Sequence, residues 1–313
     1  MIADWSGLPV LVTGGAGFLG GHLVERLAAL GARVTVPRSR EWDLRSLPAA
    51  RACLAAARPR VVFHCAAVGG GIGWMRAHRA EAGLANAALA TALLTASAEA
   101  RVECFVGVSS ACAYPASAPL PLREADLFRG PPEPTNGPYG EAKRLLVSLG
   151  AACRAQYGLH AVFAVPTNLS GPRDRFDPER SHVVPALIRR FEAARLASEP
   201  EVVAWGTGRA TRELLYVEDC AEGLVRCAET LDGSEPVNLG TGQEIALADL
   251  AAAVARAVGY AGAVRWDPSF PDGAARKVLD VSGARARLGW TARTRLDEGL
   301  ARTVAWWRAQ ERA

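Results

Sequence analysis

The sequence is poor in lysine and asparagine. Only two of its 313 residues are lysine, Lys143 and Lys277, although lysine and arginine together number 36. Asparagine occurs only at Asn86, Asn136, Asn168 and Asn238. Because arginine and alanine occupy most of the positions that tolerate them, the few remaining lysines and asparagines are the first candidates for functional residues.

Other absences exclude whole classes of protein. The seven cysteines include no C-x-x-C pair, so reduced thiols in a cytoplasmic protein are expected and no metal site is predicted. The net charge of +4 comes with no cluster of basic residues, which argues against a nucleic-acid partner. The most apolar stretch, 82–100, contains Asn86 and is flanked by Glu81 and Glu99, so no membrane partner is expected. Residues 1–7 do not resemble a signal peptide.

The hydrophobic pattern predicts an α/β protein. Short apolar runs at 9–12, 32–36, 61–66, 104–109 and 160–166 predict buried strands, and helical patterns at 22–30, 46–57, 81–98 and 140–156 lie between them. This alternation is typical of a Rossmann-type doubly wound parallel sheet. Beyond residue 167 we expect a loop at 171–181, helices at 183–194, 218–230 and 247–258, and strands at 202–205, 213–217 and 236–239.

The regular alternation of strands and helices ends near residue 167, and this change divides the chain into two predicted domains. Residues 1–165 and 214–240 form the predicted Rossmann domain that binds a dinucleotide. Residues 166–213 and 241–313 form a smaller, mixed α/β C-terminal lobe that binds the substrate.

A glycine-rich turn follows the first predicted strand. Gly14, Gly17 and Gly20 form G-x-x-G-x-x-G, with Phe18 and Leu19 inside the motif. Such glycines allow a tight turn, a close approach of a pyrophosphate to the backbone, and close packing of helix on strand. The position of this motif predicts a dinucleotide cofactor.

The end of the second strand indicates which dinucleotide is bound. An NAD site usually carries an acid there, whereas NADP requires a cation for its extra phosphate. Arg38 and Arg40 stand at this point, and no acid occurs before Glu41. We therefore expect NADP(H), with NAD as the alternative. Asp43 and Leu44 follow and are placed to meet the adenine.

A possible catalytic centre combines three residues. Tyr139 and Lys143 are four residues apart on a predicted helix, so both side chains face one pocket. A neighbouring cation is expected to lower the pKa of the tyrosine. Ser110 follows the fourth strand, where it can donate a hydrogen bond to a substrate carbonyl.

This Ser-Tyr-Lys set resembles that of the short-chain dehydrogenase/reductases, and the long chain resembles their extended, nucleotide-sugar-modifying branch. Residues 133–139, 166–172 and 181–191 further resemble GDP-L-fucose synthase, the GDP-4-keto-6-deoxy-mannose 3,5-epimerase-reductase family. The resemblance implies NADPH-dependent 3,5-epimerisation and C4-keto reduction of a GDP-4-keto-6-deoxy-hexose. It also implies that Cys112 is the base and His182 the acid of epimerisation.

The resemblance extends to binding residues. For the GDP-sugar it implies Ser110, Asn136, Asn168, Val183, Arg190, Trp205, Arg212 and Lys277. For the cofactor it implies, besides the residues above, Ala66, Asn86, Tyr139, Lys143, Pro166, Asn168, Leu169 and His182.

Two other functions stay open. The segment 69–73 resembles GDP-mannose 3,5-epimerase, which favours a nucleotide-sugar epimerase with no net redox change and a bound NAD(P); a C4 epimerase belongs to the same class. A non-catalytic binding protein on this fold is the third possibility, against which Ser110, Tyr139 and Lys143 argue. In either enzyme, helices 81–98 and 140–156 are expected to pair across a two-fold axis in a homodimer.

Overall fold

The computed structural model describes residues 1–269 and 275–311. Its strands are β1 (Pro9–Thr13), β2 (Arg33–Thr35), β3 (Val61–His64), β4 (Cys104–Val108), β5 (Ala161–Pro166), β6 (Asn168–Ser170), β7 (Glu201–Trp205), β8 (Thr211–Arg212), β9 (Leu214–Tyr216), β10 (Val237–Leu239), β11 (Ile245–Ala246) and β12 (Ala263–Asp267). Its α-helices are α1 (Phe18–Ala29), α2 (Leu47–Ala57), α3 (Ile72–Ala77), α4 (Arg79–Glu99), α5 (Gly137–Tyr157), α6 (Val183–Leu196), α7 (Val217–Thr230), α8 (Leu247–Val258), α9 (Ser282–Leu288) and α10 (Leu296–Gln310).

The central sheet has six parallel strands in the order β10-β5-β4-β3-β1-β2. The chain runs outward from β1 to β2 and then crosses back to β3 on the other side of β1. Strand order therefore reverses between β1 and β3. In open parallel sheets ligands bind at the carboxyl ends of the strands beside such a reversal. The predicted doubly wound fold is confirmed.

The sheet is buried on both faces because its strands are apolar at successive positions. Val10 and Val12 of β1 pack in a cluster with Leu23 of α1 and Leu224 of α7. Leu11 points the other way. It belongs to a second cluster, formed with side chains of α2, α4 and α5. Helices on both faces explain why these strands read as continuous apolar runs rather than alternating ones.

A third apolar cluster forms the core of the C-terminal part of the chain. Phe191 of α6 packs there with Leu250 and Val254 of α8, and α10 contributes Leu300 and Val304. Strands β7 and β12 run parallel beside these helices. The predicted boundaries of the two domains stay a prediction, although β10, within 214–240, lies in the main sheet beside β5.

Most predicted elements are present, with differences at their ends. Helix α4 begins at Arg79 rather than 81 and is preceded by the short helix α3, which the pattern did not predict. Helix α5 begins at Gly137 rather than 140, with a proline in its first turn. Strand β2 is reduced to three residues at the sheet edge. No prediction covered β12, α9 or α10. Within the two described ranges, no helix has the length and apolar character needed to cross a bilayer.

Candidate active site

The glycine-rich turn has the backbone shape that a pyrophosphate site requires. Gly14 has a φ of +70°, and a Cβ there would lie 2.7 Å from the backbone nitrogen of Ala66. A Cβ on Gly20 would collide with the carbonyl oxygen of Gly14. Neither position can therefore carry a side chain without moving the backbone.

Helix α1 starts inside this turn and leaves its first N–H groups open. Its N-cap residue, Gly17, supplies no side-chain cap, and no acid occupies the first turn, where Phe18 and Leu19 are half-buried. Free N–H groups at a helix N-terminus bind phosphate through hydrogen bonds and the helix dipole. The turn thus fits the pyrophosphate of a dinucleotide.

The segment after β3 is held firmly beside the turn. Thr13 Oγ1 hydrogen bonds with His64 Nδ1 at 2.9 Å and accepts the backbone N–H of Ala66 at 3.3 Å. Burial, assisted by the charge of Lys143, lowers the pKa of His64 to about 3, so this histidine is neutral and structural. Buried Asn86 donates to the carbonyl oxygen of Val68 at 2.7 Å and accepts its N–H at 3.2 Å. Asn86 therefore positions the chain around a cofactor instead of pointing an open amide at it.

The end of β2 presents two exposed guanidinium groups. Arg38 and Arg40 are both exposed, and Arg40 makes only a 3.4 Å contact with Glu41. Asp43 accepts hydrogen bonds from Arg45 Nε and Nη2, both at 2.8 Å, and these hold the pKa of its carboxyl below the usual range. Leu44 is buried. The role of the two arginines in binding a phosphate on the ribose stays a prediction.

Lys143 is a buried cation at the carboxyl end of β4. Its Nζ donates to the carbonyl oxygen of Val108 at 2.9 Å and lies 5.6 Å from the centre of the Tyr139 ring. Its own carbonyl accepts the Ser109 hydroxyl at 3.2 Å. Burial lowers the pKa of Lys143 to about 8.

Tyr139 departs from the sequence-based expectation. Burial raises the pKa of its phenol well above the usual range, the nearby Cys112 acts in the same direction, and a hydrogen bond with Ser110 opposes them only in part. The expected lowering by Lys143 is wrong for this structure, because burial is the largest cause of the shift and Lys143 is not among the groups that oppose it. Tyr139 is therefore protonated at neutral pH, as a proton donor must be.

Ser110 and Cys112 lie on one tight turn that points at Tyr139. Ser110 Oγ accepts the backbone N–H of Cys112 at 3.1 Å, which caps the short 3-10 turn at residues 111–113. Asn136 Nδ2 lies 3.8 Å from Cys112 Sγ, and Lys277 Nζ lies 3.4 Å from it. The structure thus brings Lys277, predicted to bind the GDP-sugar, to the thiol, and it brings both lysines of the chain to one site.

Cys112 is a half-buried cysteine with Lys277 Nζ 3.4 Å from its sulfur. All seven are free thiols. Burial raises the pKa of Cys65 and Cys104 to about 12, and it raises the pKa of Cys220 and Cys227 well above the usual range. No group of three or more His, Cys, Asp or Glu side chains in residues 1–269 and 275–311 is arranged to hold a metal ion.

His182 lies at the N-terminus of α6, directly before Val183. Its side chain is 56% exposed, and Nδ1 lies 3.7 Å from Oδ1 of the buried Asp174. The loop before it lies over α1, since His22 Nε2 hydrogen bonds with the carbonyl oxygen of Pro172 at 2.9 Å. The same loop covers the segment after β3, because the carbonyl oxygen of Arg180 accepts the N–H of Gly71 at 2.9 Å.

The predicted substrate residues of the C-terminal part form two groups. Arg190 stacks over the exposed Trp205 ring, with 6.0 Å between its guanidinium and the ring centre. Asn168 donates to the carbonyl oxygen of Glu213 at 3.3 Å, next to Arg212, whose Nη1 donates to Thr211. Pro166, which is buried, and Leu169, which is half-buried, flank Asn168. Their contacts with cofactor or substrate stay predictions.

Sequence reasoning gave no role to Glu213, although its place beside Arg212 was a signal. Its side chain is fully buried. It accepts the backbone N–H groups of Thr241 at 2.6 Å, Gly242 at 2.7 Å and Leu279 at 2.8 Å. Burial raises its pKa despite these bonds. Glu213 fixes the segments that carry Arg212 and Lys277.

Comparisons with known proteins show the family of the chain. The model of the NAD dependent epimerase/dehydratase family matches residues 10–240. The chain is 40% identical to the probable GDP-L-fucose synthase 1 of Oryza sativa subsp. japonica, over 98% of this chain and 93% of that protein. It is 36% identical to the GDP-L-fucose synthase of Escherichia coli strain K12, with 95% of each covered. A crystal structure of a GDP-L-fucose synthetase from Naegleria fowleri bound to NADP superposes with a TM-score of 0.89 at 25% identity, covering 100% of this chain and 97% of that one.

Lys143 should make stability rise with pH. In the folded protein its ammonium loses its proton near pH 8, whereas the ordinary value is 10.5. The unfolded chain therefore binds more protons between these values, so raising the pH favours folding. The free energy of unfolding of the native protein, minus that of Lys143→Met, should increase by about 3 kcal/mol from neutral pH to above 10. Urea denaturation at each pH measures this difference; a constant difference would contradict the perturbed lysine.

Proposed function

Because the chain belongs to the NAD dependent epimerase/dehydratase family and, within it, to the GDP-L-fucose synthases, we propose that it catalyses two linked reactions. It epimerises C3 and C5 of a GDP-4-keto-6-deoxy-hexose and then reduces the C4 ketone with NADPH. The free thiols of all seven cysteines support a cytoplasmic setting for this work.

One observation carries the proposal. The thiol of Cys112 lies beside Lys277 Nζ at 3.4 Å, on the same turn as Ser110, with Tyr139 and Lys143 completing the site. A reductase alone needs a proton donor for the carbonyl oxygen, as Tyr139 provides. An epimerase also needs a base and an acid for carbon, and a thiol paired with a cation supplies a base.

Epimerisation uses the acidity that the ketone confers on C3 and C5. Cys112, with Lys277 Nζ beside its sulfur, takes a proton from one of these carbons. Ser110 and Tyr139 donate hydrogen bonds to the C4 oxygen while negative charge collects there. His182 returns a proton to the carbon from the opposite face, which inverts the configuration.

Reduction uses the same oxygen site. Bound NADPH supplies a hydride for C4. Tyr139, which burial keeps protonated, gives its proton to the C4 oxygen. The Lys143 ammonium, which donates to the carbonyl oxygen of Val108, stabilises the phenolate that forms. The open N–H groups of α1 would hold the pyrophosphate of the cofactor, and Arg38 and Arg40 would bind its 2′-phosphate.

The C-terminal part holds the GDP-sugar. Arg190 and Arg212 are suited to the diphosphate, since guanidinium groups bind phosphate oxygens in pairs. Trp205 offers an exposed ring on which the base or ribose can stack, with Arg190 already above it. Asn136 and Asn168 provide amides for sugar or phosphate oxygens, and Val183 lines the wall beside His182.

We expect the protein to bind NADPH more tightly than NADH. Arg38→Asp removes a cation from the 2′-phosphate and should weaken NADPH binding roughly tenfold to a hundredfold while sparing NADH. Fluorescence titration with both cofactors measures the ratio. Arg33→Asp, an exposed change at the other end of β2, is the matched control and should leave the ratio unaltered. Equal affinities in the native protein would refute the NADP assignment.

Solvent deuterium uptake separates epimerisation from reduction. Cys112→Ser and His182→Ala should each slow deuterium incorporation into a GDP-4-keto-6-deoxy-hexose by about a hundredfold to ten-thousandfold. Cys112→Ser should leave NADPH binding intact. Tyr139→Phe should abolish reduction but leave part of the exchange, because Ser110 still polarises the C4 oxygen. Mass spectrometry of the sugar nucleotide reports exchange, and NADPH absorbance reports reduction.

Two outcomes would change the assignment. Full exchange in a Cys112→Ser, His182→Ala double variant would leave only a C4 reductase or C4 epimerase. Exchange by the native protein without steady NADPH consumption, across a panel of sugar nucleotides, would instead identify an epimerase with no net redox change.

The proposal includes a homodimer formed through α4 and α5. The two helices pack closely, since a Cβ on Gly83 would lie 2.8 Å from Pro138. Their outward faces carry Leu84, which is 73% exposed, and small residues. Thr91 Oγ1 donates to the carbonyl oxygens of Ala87 and Ala88, so this hydroxyl can be buried by a second copy without losing a partner.

Light scattering at micromolar concentration should give the mass of two chains. Leu84→Arg places a charge in the four-helix interface and should shift the protein to a monomer. Leu196→Arg changes a leucine of similar exposure at the end of α6, and it should remain dimeric. A monomeric native protein would rule out this interface.

A further inference from the structure

Asp174 is a buried carboxylate in a loop that is otherwise largely exposed. Its side chain is only 2% exposed. One oxygen, Oδ1, accepts the backbone N–H of Arg175 at 2.7 Å and lies 3.7 Å from His182 Nδ1. The other oxygen, Oδ2, is buried without a hydrogen-bond partner. A carboxylate in this condition is destabilising unless a positive or donating group faces it.

The arginines of the same loop are engaged elsewhere. Arg173 pairs with Glu25 on α1. Arg175 Nη1 donates to the carbonyl oxygen of Gly69 at 3.4 Å, and the Arg180 guanidinium stacks 4.9 Å from the Trp74 ring centre. Among residues 1–269 and 275–311, the basic side chain that lies against Asp174 is His182.

His182 has its own need for a negative neighbour. It is the N-cap residue of α6, a 14-residue helix, and its side chain makes no capping bond. The positive end of the helix dipole disfavours an imidazolium at that position. Buried Asp174, with Oδ1 3.7 Å from Nδ1, is the negative group that faces this ring.

We propose that Asp174 is the positioning residue for His182. Nδ1–H of the imidazole faces Asp174 Oδ1 across a 3.7 Å ion-pair contact, which orients the ring and leaves Nε2 for the substrate. When the Nε2–H bond breaks and a C–H bond forms at the enolate carbon, the imidazole becomes neutral. Its remaining proton stays on Nδ1, facing the Asp174 carboxylate. The inference rests on the proposed role of His182 as the acid of epimerisation.

A double-mutant cycle tests the pairing. Asp174→Asn keeps an oxygen for the Arg175 N–H but removes the charge, and it should slow His182-dependent deuterium exchange about tenfold to a hundredfold. The KM for the sugar nucleotide and the affinity for NADPH should change little. His182→Asn combined with Asp174→Asn should be no slower than His182→Asn alone, because the second change has nothing left to orient. Asp174→Glu, which restores a carboxylate, should recover part of the rate.

The controls separate a pair from a structural carboxylate. Glu179→Gln removes an exposed charge from the same loop and should leave exchange and stability as in the native protein. Additive losses in the double variant, or an Asp174→Asn protein with native exchange, would overturn the role of Asp174. Native exchange in His182→Asn would instead overturn the proposed function of His182.

A measurement on the unaltered protein covers the case in which Asp174→Asn does not fold. The ¹⁵N shifts of the His182 imidazole, assigned by their loss in His182→Asn, identify the ring nitrogen that carries the proton in the neutral form. The proposal requires the proton on Nδ1. A proton on Nε2 would contradict it.

Discussion

The buried carboxylate of Glu213 holds the site together. Its two oxygens bind backbone N–H groups of Thr241, Gly242 and Leu279, and its own carbonyl accepts the Asn168 amide. These segments follow β5 and β10 or lead to Lys277, so one side chain links the edge of the main sheet to the part that carries the substrate cations. A charge buried this fully is retained only where several donors replace water. Glu213 therefore helps to position Arg212 and Lys277 relative to Cys112.

The electrostatics of the site follow from the same exclusion of water. Burial keeps the Tyr139 phenol protonated, and it brings the pKa of Lys143 down to about 8. Neither effect stabilises the fold. Both effects prepare the site for proton transfer to a substrate oxygen. A phenolate formed at Tyr139 and the poorly solvated ammonium of Lys143 offset each other's desolvation. The fold thus accepts a loss of stability at the place where charge will move.

Sequence reasoning succeeded where function depends on local pattern. The glycine turn, the tyrosine and lysine one helical turn apart, and the alternation of strands and helices are all set by neighbours along the chain. Contacts between residues far apart in the sequence could not be predicted from the local pattern. The approach of Lys277 to Cys112 spans 165 positions, and nothing in the spacing marks Asp174 or Glu213 as buried. Asparagine scarcity was informative but ambiguous, since Asn238 serves as a buried link between Tyr114, Leu122 and Asp280.

The place of β10 in the sheet has a consequence for how the chain reaches its folded state. β5 is buried along its whole length, and β10 covers its outer edge. The ribosome completes β5 first, then β6, α6, β7, β8, β9 and α7, and only then β10. Throughout that interval the nascent protein carries an apolar strand with unpaired N–H and C=O groups along one side, which is the template that other chains extend. Arrest or cleavage of the chain before β10 therefore exposes an aggregation-prone edge, even though every residue of the glycine turn and of the tyrosine-lysine pair has already been made.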